Sequence, residues 1–348
     1  MQASPGPYLP PATGQDRCYD EGGKEITCRG SGQDGATGYG RAWPRPRFRV
    51  EGGVVEDALT GLWWTRNANP HDFPLSWDEA LQLAAAMNVE KAFGYSDWRL
   101  PNRRELLSLI SYQARKPALP GDHPFNNIFL GWYWTSTTAA LAPAYAWYIH
   151  LEGGRMFYGR KDQEYLFWPV RGRSEVLAAT GQKSCYNQEG GIIACRDSGQ
   201  DGEFRYGISL PEPRFLVEGE TVRDHHTGLL WLREGDYFKE TMTWPQALAR
   251  VAQLNREQVG GRGDWRLPSI NALESLVDCR RHRPALPEDH PFVALQEVYW
   301  SATTSFFETG WAWALYLDKG ALGVGHKASA NFSVWPVCGP GRSGSANG

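Results

Sequence analysis

Residues 97–101 read DWRLP, and residues 264–268 read DWRLP again. Working outward, the same offset of 167 residues superimposes Thr13-Gly14-Gln15 on Thr180-Gly181-Gln182, Cys18 on Cys185 and Cys28 on Cys195. It also lays the SGQDG run at 31–35 on 198–202, and Pro46-Arg47-Phe48 on Pro213-Arg214-Phe215. Asp57 and Thr60-Gly61-Leu62 meet Asp224 and Thr227-Gly228-Leu229, and HPF at His123 meets HPF at His290. At Tyr133-Trp134 and Tyr299-Trp300 the offset drops to 166, and it is 167 again where Trp168-Pro169-Val170 meets Trp335-Pro336-Val337. One residue is lost and one regained. Two copies, rather than a long array, describe tandem domains that each own a core, not a solenoid. The expected divisions are a tail at 1–12, a first repeat at 13–172, a linker at 173–179, a second repeat at 180–339 and a tail at 340–348.

Caps place two short helices in each copy. Ser76-x-x-Glu79 and Thr243-x-x-Gln246 spell capping boxes, in which a hydroxyl and a carboxyl or amide satisfy orphan N–H groups. After each DWRLP, Asn102 or Ser269 stands at an N-cap, followed by Leu106, Leu109 and Ile110, or Leu273, Leu276 and Val277, on one apolar face. Segments such as YWTSTT, AYAWYIHLEGG and YLFWPVRG are aromatic, β-branched and broken by Gly or Pro, as short antiparallel strands are. The fold class is therefore α+β, each domain having two short helices and antiparallel strands.

Of 348 residues, Lys+Arg number 36 and Asp+Glu 39, a balance that argues against nucleic acid as the partner. No apolar run is long enough to span a bilayer. The start, MQASPGPYLPP, has no secretory signal pattern, so an export signal is expected to have been removed. The cysteines motivate that expectation. Cys18 and Cys28 flank Gly22-Gly23, and Cys185 and Cys195 flank Gly190-Gly191, so a hairpin brings each pair together. Cys279 and Cys338 face Tyr112 and Arg171 in the other copy, and their joint appearance predicts a third bond. Three bonds imply an oxidising compartment: extracellular, cell-surface or periplasmic. Zinc is disfavoured because no C-x-x-C occurs, and no metal or cofactor is expected.

Six tryptophans stand in both copies (64/231, 77/244, 98/265, 134/300, 147/313 and 168/335) and read as core. Trp43, Trp63, Trp132 and Trp311 are unmatched, as are Arg155, Tyr158, Lys161, Asp162, Phe306, Phe307, Glu308 and His326. Arg160 and Lys327 are read as one retained cation, free to hold an acidic ligand or to tie a hairpin to a carboxylate or carbonyl. The expected ligand-binding set is Trp132, Arg155, Tyr158, Arg160, Lys161, Asp162, Phe306, Phe307, Glu308, Trp311, His326 and Lys327. Asp122-His123 and Asp289-His290 read as loop anchors before Pro-Phe, and Asp34 and Asp201 alone fall short of a calcium site. The Arg262-Gly263-Asp264 tripeptide reads as a coincidence, since Asp264 matches Asp97. No catalytic motif of hydrolases, phosphate-loop proteins or metalloproteases occurs.

The pattern D-x-x-TGL-x-W, DWRLP with a short helix, YW-S/T-x-TT and a W-P-V close resembles a bacterial domain family. Its named member is the C-terminal domain of the Legionella collagen-like adhesin. The resemblance implies a C-type-lectin-like fold in two tandem copies, an exported or surface location and glycan binding. This chain lacks a collagen-like region and the E-P-N, Q-P-D and W-N-D signatures of calcium lectins. The expectation is a noncatalytic, adhesin-like protein that recognises an extracellular glycan or surface protein. The alternatives are a structural subunit of a surface assembly and, third, an enzyme of formylglycine-generating type.

Overall fold

The computed structural model describes residues 8–339, which gather into two compact units. Trp43–Ser209 and Asp278–Ala285 form the first-repeat unit, and residues 8–42, 210–277 and 286–339 form the second-repeat unit. Each unit therefore holds one repeat's helices and strands together with one cysteine-bearing segment. The segment at 174–209 belongs with the first repeat's strands, and the segment at 8–42 with the second's. Within the stretch read as a linker, Leu177 and Ala178 are buried.

The first-repeat unit pairs Phe48–Glu51, Val54–Asp57, Leu62–Thr65 and Val170–Arg171 in an antiparallel sheet, with Val55 opposite Trp64 and Trp64 opposite Val170. A second set of antiparallel strands is Trp132–Thr138, Tyr145–His150 and Met156–Arg160. The second-repeat unit repeats both sets, with Phe215–Glu218, Thr221–Asp224, Leu230–Leu232 and Val337–Cys338, then Val298–Thr304, Trp311–Tyr316 and Ala321–His326. The α+β class with antiparallel strands is observed.

Both expected capping boxes are formed. Ser76 and Glu79 open the helix Trp77–Val89, and Thr243 and Gln246 open Trp244–Glu257, each N-cap side chain accepting from the N3 amide. Asn102 caps Arg103–Ser108, and Ser269 caps Ile270–Glu274. The structure adds a single helical turn starting at the aspartate of each SGQDG run, at Asp34–Thr37 and Asp201–Phe204. Four residues carrying a glycine leave no apolar periodicity, so pattern reading misses such a turn. The glycine has its own cause: a Cβ on Gly35 would lie 2.7 Å from the Arg17 carbonyl and 3.0 Å from Cys18 Sγ, and Gly202 meets Ser184 and Cys185 in the same way.

The six tryptophans kept in both copies are the core, none more than 3% exposed. In four of the six pairs the indole N–H groups donate to carbonyls at matched places, among them Trp77 on Thr135 and Trp244 on Ser301, both at 2.7 Å, and Trp134 on Leu75 and Trp300 on Met242. Burying roughly 150–250 Å² per ring contributes about 4–6 kcal/mol of gross transfer free energy each. The D-x-x-TGL motif and Pro-Arg-Phe meet as a buried ion pair. Arg47 donates two hydrogen bonds of 2.9 Å to Asp57, which also accepts from Thr60 Oγ1, and Arg214 with Asp224 and Thr227 repeats the arrangement. In DWRLP the tryptophan is core, while Arg99 and Val170 exchange backbone hydrogen bonds of 3.0 Å that stitch the motif to the closing strand. Asp264 accepts from Arg262 and from the Gly339 amide, which accounts for both charged ends of the Arg-Gly-Asp tripeptide.

Two of the three expected disulfides are present, Cys18–Cys28 and Cys185–Cys195, each with Cα atoms 5.1 Å apart. The expected Cys279–Cys338 bond is not formed, and both residues are buried thiols. Cys338 sits opposite Leu230 in the second-repeat unit, whereas Cys279 lies in the 278–285 stretch, where its amide donates to the Thr180 carbonyl. Two unmatched cysteines in one repeat carry no distance information, and a disulfide needs Cα atoms within about 7 Å.

Candidate functional site

Each cysteine segment is fastened to its unit by the same set of side chains. In the first-repeat unit, Asp201 is buried and one carboxylate oxygen accepts from Thr137 Oγ1 and Thr180 Oγ1, both at 2.7 Å. Gln182 accepts from the Thr138 amide at 3.0 Å and donates to the Thr138 carbonyl. In the second-repeat unit, Asp34 accepts from Thr303 Oγ1 at 2.7 Å, and Gln15 makes the same two bonds with Thr304. Desolvation pushes both aspartates up, each to about 6, against the pull of the hydroxyls. No cation-binding loop is formed by SGQDG. Among the described residues no group of three or more His, Cys, Asp or Glu is placed to hold a metal.

Lys161 and Lys327 complete the fastening. Both are fully buried. Lys161 Nζ donates to the carbonyls of Tyr186 and Asn187 at 3.1 and 3.3 Å and lies 3.9 Å from the centre of the Trp77 ring. Lys327 Nζ donates to Tyr19 and Asp20 at 3.1 and 3.2 Å and lies 4.2 Å from the Trp244 ring. The retained cation is thus Lys161 with Lys327, not Arg160 with Lys327. The offset of 166 persists through this strand, since Arg160 and His326 hold the matching places opposite Tyr145 and Trp311. Of the two roles weighed for this cation, Lys327 ties a hairpin to carbonyls.

The other expected residues divide by position along the strands. Trp132 stands opposite His150, whose amide donates to the Arg155 carbonyl, so these three share one end of the first-repeat strands. Arg160 is at the other end, paired with its neighbour Asp162 at 2.7 Å on the surface. Tyr158 is half-buried, with its ring edge-on to Trp147 at 5.4 Å. In the second-repeat unit the expected residues collect near the cysteine hairpin. Phe306 lies edge-on to Tyr19 at 6.1 Å under the Arg17 guanidinium, Phe307 is half-buried, and exposed Glu308 accepts the Trp311 amide through its carbonyl. Trp311 is half-buried, 5.4 Å from the exposed His326 ring.

An open groove of about 280 Å³ runs past Trp132, lined by Pro74, Phe129, Leu130, Trp132, Glu164 and Tyr165 among others. Phe129 is 48% exposed and Leu130 43%, so the mouth is apolar. Trp132 is held by Tyr148 and His150, with ring centres 4.2 and 4.6 Å away. The backbone locates the one-residue change of offset here. The amides of Phe129 and Gln296 both donate to a tyrosine hydroxyl, on Tyr133 and Tyr299, and the carbonyls of Gly131 and Glu297 both accept from a leucine amide, Leu151 and Leu317. Leu130 is therefore the additional residue of the first repeat. Where the first repeat has Phe129, Leu130 and Trp132, the second has Gln296, nothing and Val298. Sequence reading found Trp132 but missed Phe129, Leu130 and Tyr165. The offset slip at this point was the available signal.

No curated protein matches the chain. The family model for the Lcl C-terminal domain matches residues 53–171 and again residues 220–338, leaving both cysteine segments outside the matched stretches. The chain belongs to the Lcl C-terminal domain family and carries two tandem copies of its domain.

Proposed function

We propose that this chain is a noncatalytic, exported binding protein whose first repeat holds an extracellular glycan in the groove at Trp132. The observation that supports the reading is the apolar mouth made by Phe129, the additional Leu130 and Trp132, at a place where the second repeat has only Gln296 and the smaller Val298. A sugar ring offers C–H groups on its faces and hydroxyls around its rim. An aromatic plane covers the first, and a neighbouring carboxylate such as Glu164 accepts from the second. A surface protein with an apolar anchor is the alternative occupant of the same groove. The fold is proposed to be C-type-lectin-like, a reading supported by two short helices accompanying antiparallel strands in each unit. Two disulfides support a location outside the reducing cytosol. A formylglycine-type reaction has less support, because burial pushes the Cys338 thiol up to about 11 and keeps it from being a nucleophilic thiolate at neutral pH.

The test is a glycan array read in EDTA with the full chain and with Phe129→Ala and Trp132→Ala. Retained binding of the parent chain and at least a tenfold loss in both variants, at unchanged circular dichroism, is the expected result. Binding that is indifferent to both substitutions, or no glycan bound at all, overturns the reading.

A further inference from the structure

The seat for a cysteine segment is built twice, and the chain fills the two by different routes. In the first-repeat unit the segment follows its strands closely, so Thr137 and Asp201 are 64 residues apart. In the second-repeat unit Thr303 reaches Asp34 across 269 residues. The contacts nevertheless correspond one to one: Asp34 with Asp201, Gln15 with Gln182, and Lys327 with Lys161. Asn271 donates to the Pro11 carbonyl at 2.8 Å, and its counterpart Arg104 reaches one residue further along the segment, to the Ala179 carbonyl at 2.6 Å. The segment is also self-contained. Its strands Cys18–Tyr19 and Glu25–Ile26 pair only with each other, Cys18–Cys28 closes them, and Gln33 braces Tyr19 through both backbone groups.

We propose that the second-repeat seat also accepts the N-terminal cysteine segment of a second copy of this chain, so that molecules join by exchanging these segments. The contacts of Thr303, Thr304, Lys327 and Asn271 with the segment form identically whichever copy supplies it. No sheet of the repeat has to be opened, because the segment adds no strand to one. What remains of the seat when the segment leaves is mixed, the polar groups of Thr303, Lys327 and Asn271 standing beside the Phe306 ring, and a matching segment satisfies both parts. The route out of the segment runs through Trp43-Pro44-Arg45-Pro46, whose prolines stiffen the connection. Reciprocal exchange between two copies closes as a two-fold dimer, and non-reciprocal exchange propagates head to tail.

The test uses full chains. A Cβ on Gly310 lies 3.9 Å from the Gly22 backbone carbonyl carbon and neither glycine needs positive φ, so cysteines are placed there and the chain carrying both substitutions reports whether they link. A Gly22→Cys chain and a tagged, mass-distinct Gly310→Cys chain are mixed, partly unfolded with native disulfides intact, returned to native buffer at several concentrations and mildly oxidised. The expected product is a disulfide-linked pair containing one of each chain, its fraction rising with concentration. In parallel, the unsubstituted chain is weighed by light scattering after the same treatment, with a species of twice the monomer mass expected. A link formed only in the chain carrying both substitutions overturns the proposal. If neither the mixture nor the doubly substituted chain links, the light scattering decides, and a monomer mass at every concentration overturns it.

Discussion

Lys161 and Asp201 are held by opposite bargains with water. Burial pulls the lysine down to about 7, while two carbonyls and an indole face favour its charged form. Burial pushes the aspartate up to about 6, and only one of its oxygens is hydrogen-bonded among the described residues. The signs follow from proton counting. Between about pH 4 and pH 6 the folded protein binds more protons at Asp201 than the unfolded chain does, so this carboxyl's contribution to stability is full below that window and falls as pH rises through it. At Lys161 the folded protein binds fewer protons between about pH 7 and the usual lysine value, so stability rises with pH there. Asp201→Asn keeps an acceptor for Thr137 and Thr180 and abolishes the charge. Relative to the parent it gains stability between pH 4 and pH 6, on the order of 2–3 kcal/mol by the upper value. Chemical denaturation of both proteins across that range measures the difference, and a constant gap would show that Asp201 titrates normally.

At the scale of elements, the Arg47–Asp57 pair joins the first strand to the end of the helix Arg103–Ser108, because Arg47 also donates to the Ser108 carbonyl at 2.7 Å. Both side chains are buried, so the loss of either strands the other. Asp57→Leu alone is expected to cost about 3–5 kcal/mol, and the double replacement Arg47→Met with Asp57→Leu clearly less, in urea unfolding of the four proteins of the cycle. If the double variant cost the sum of the singles, the pair would hold no coupling. The capping boxes and the twelve buried tryptophans were legible because their causes are local spacing and duplication. Lys327 was assigned the wrong counterpart because a slip of one residue in offset flips a strand's faces, and only hydrogen bonds show how far the slip extends. The groove was half legible. Trp132 announced itself as an unmatched aromatic, whereas Leu130 is an insertion with no counterpart to compare against.

For the whole molecule, the two units place closely matched fastenings on segments with different chain connections, so the molecule contains its own control. If contacts alone set the strength, residues 17–29 and 184–196 detach together. Connectivity separates them, since closing a longer stretch of chain costs about 0.6 kcal/mol per doubling, and 269 against 64 residues is about two doublings. The N-terminal segment is therefore expected to open first, by about 1 kcal/mol. The amides that bond across seat and segment, Thr304 on the Gln15 side chain and Thr138 on the Gln182 side chain, report the two openings against each other. Hydrogen exchange at low denaturant reads both in one experiment. With the disulfides intact, faster exchange at Thr304 than at Thr138 is the expected outcome, and equal or reversed order would mean that Lys327, Gln15 and Asp34 hold more tightly than Lys161, Gln182 and Asp201. Reduction removes about 3 kcal/mol of loop-closure stabilisation from both hairpins alike, so it should accelerate both amides while leaving their order unchanged.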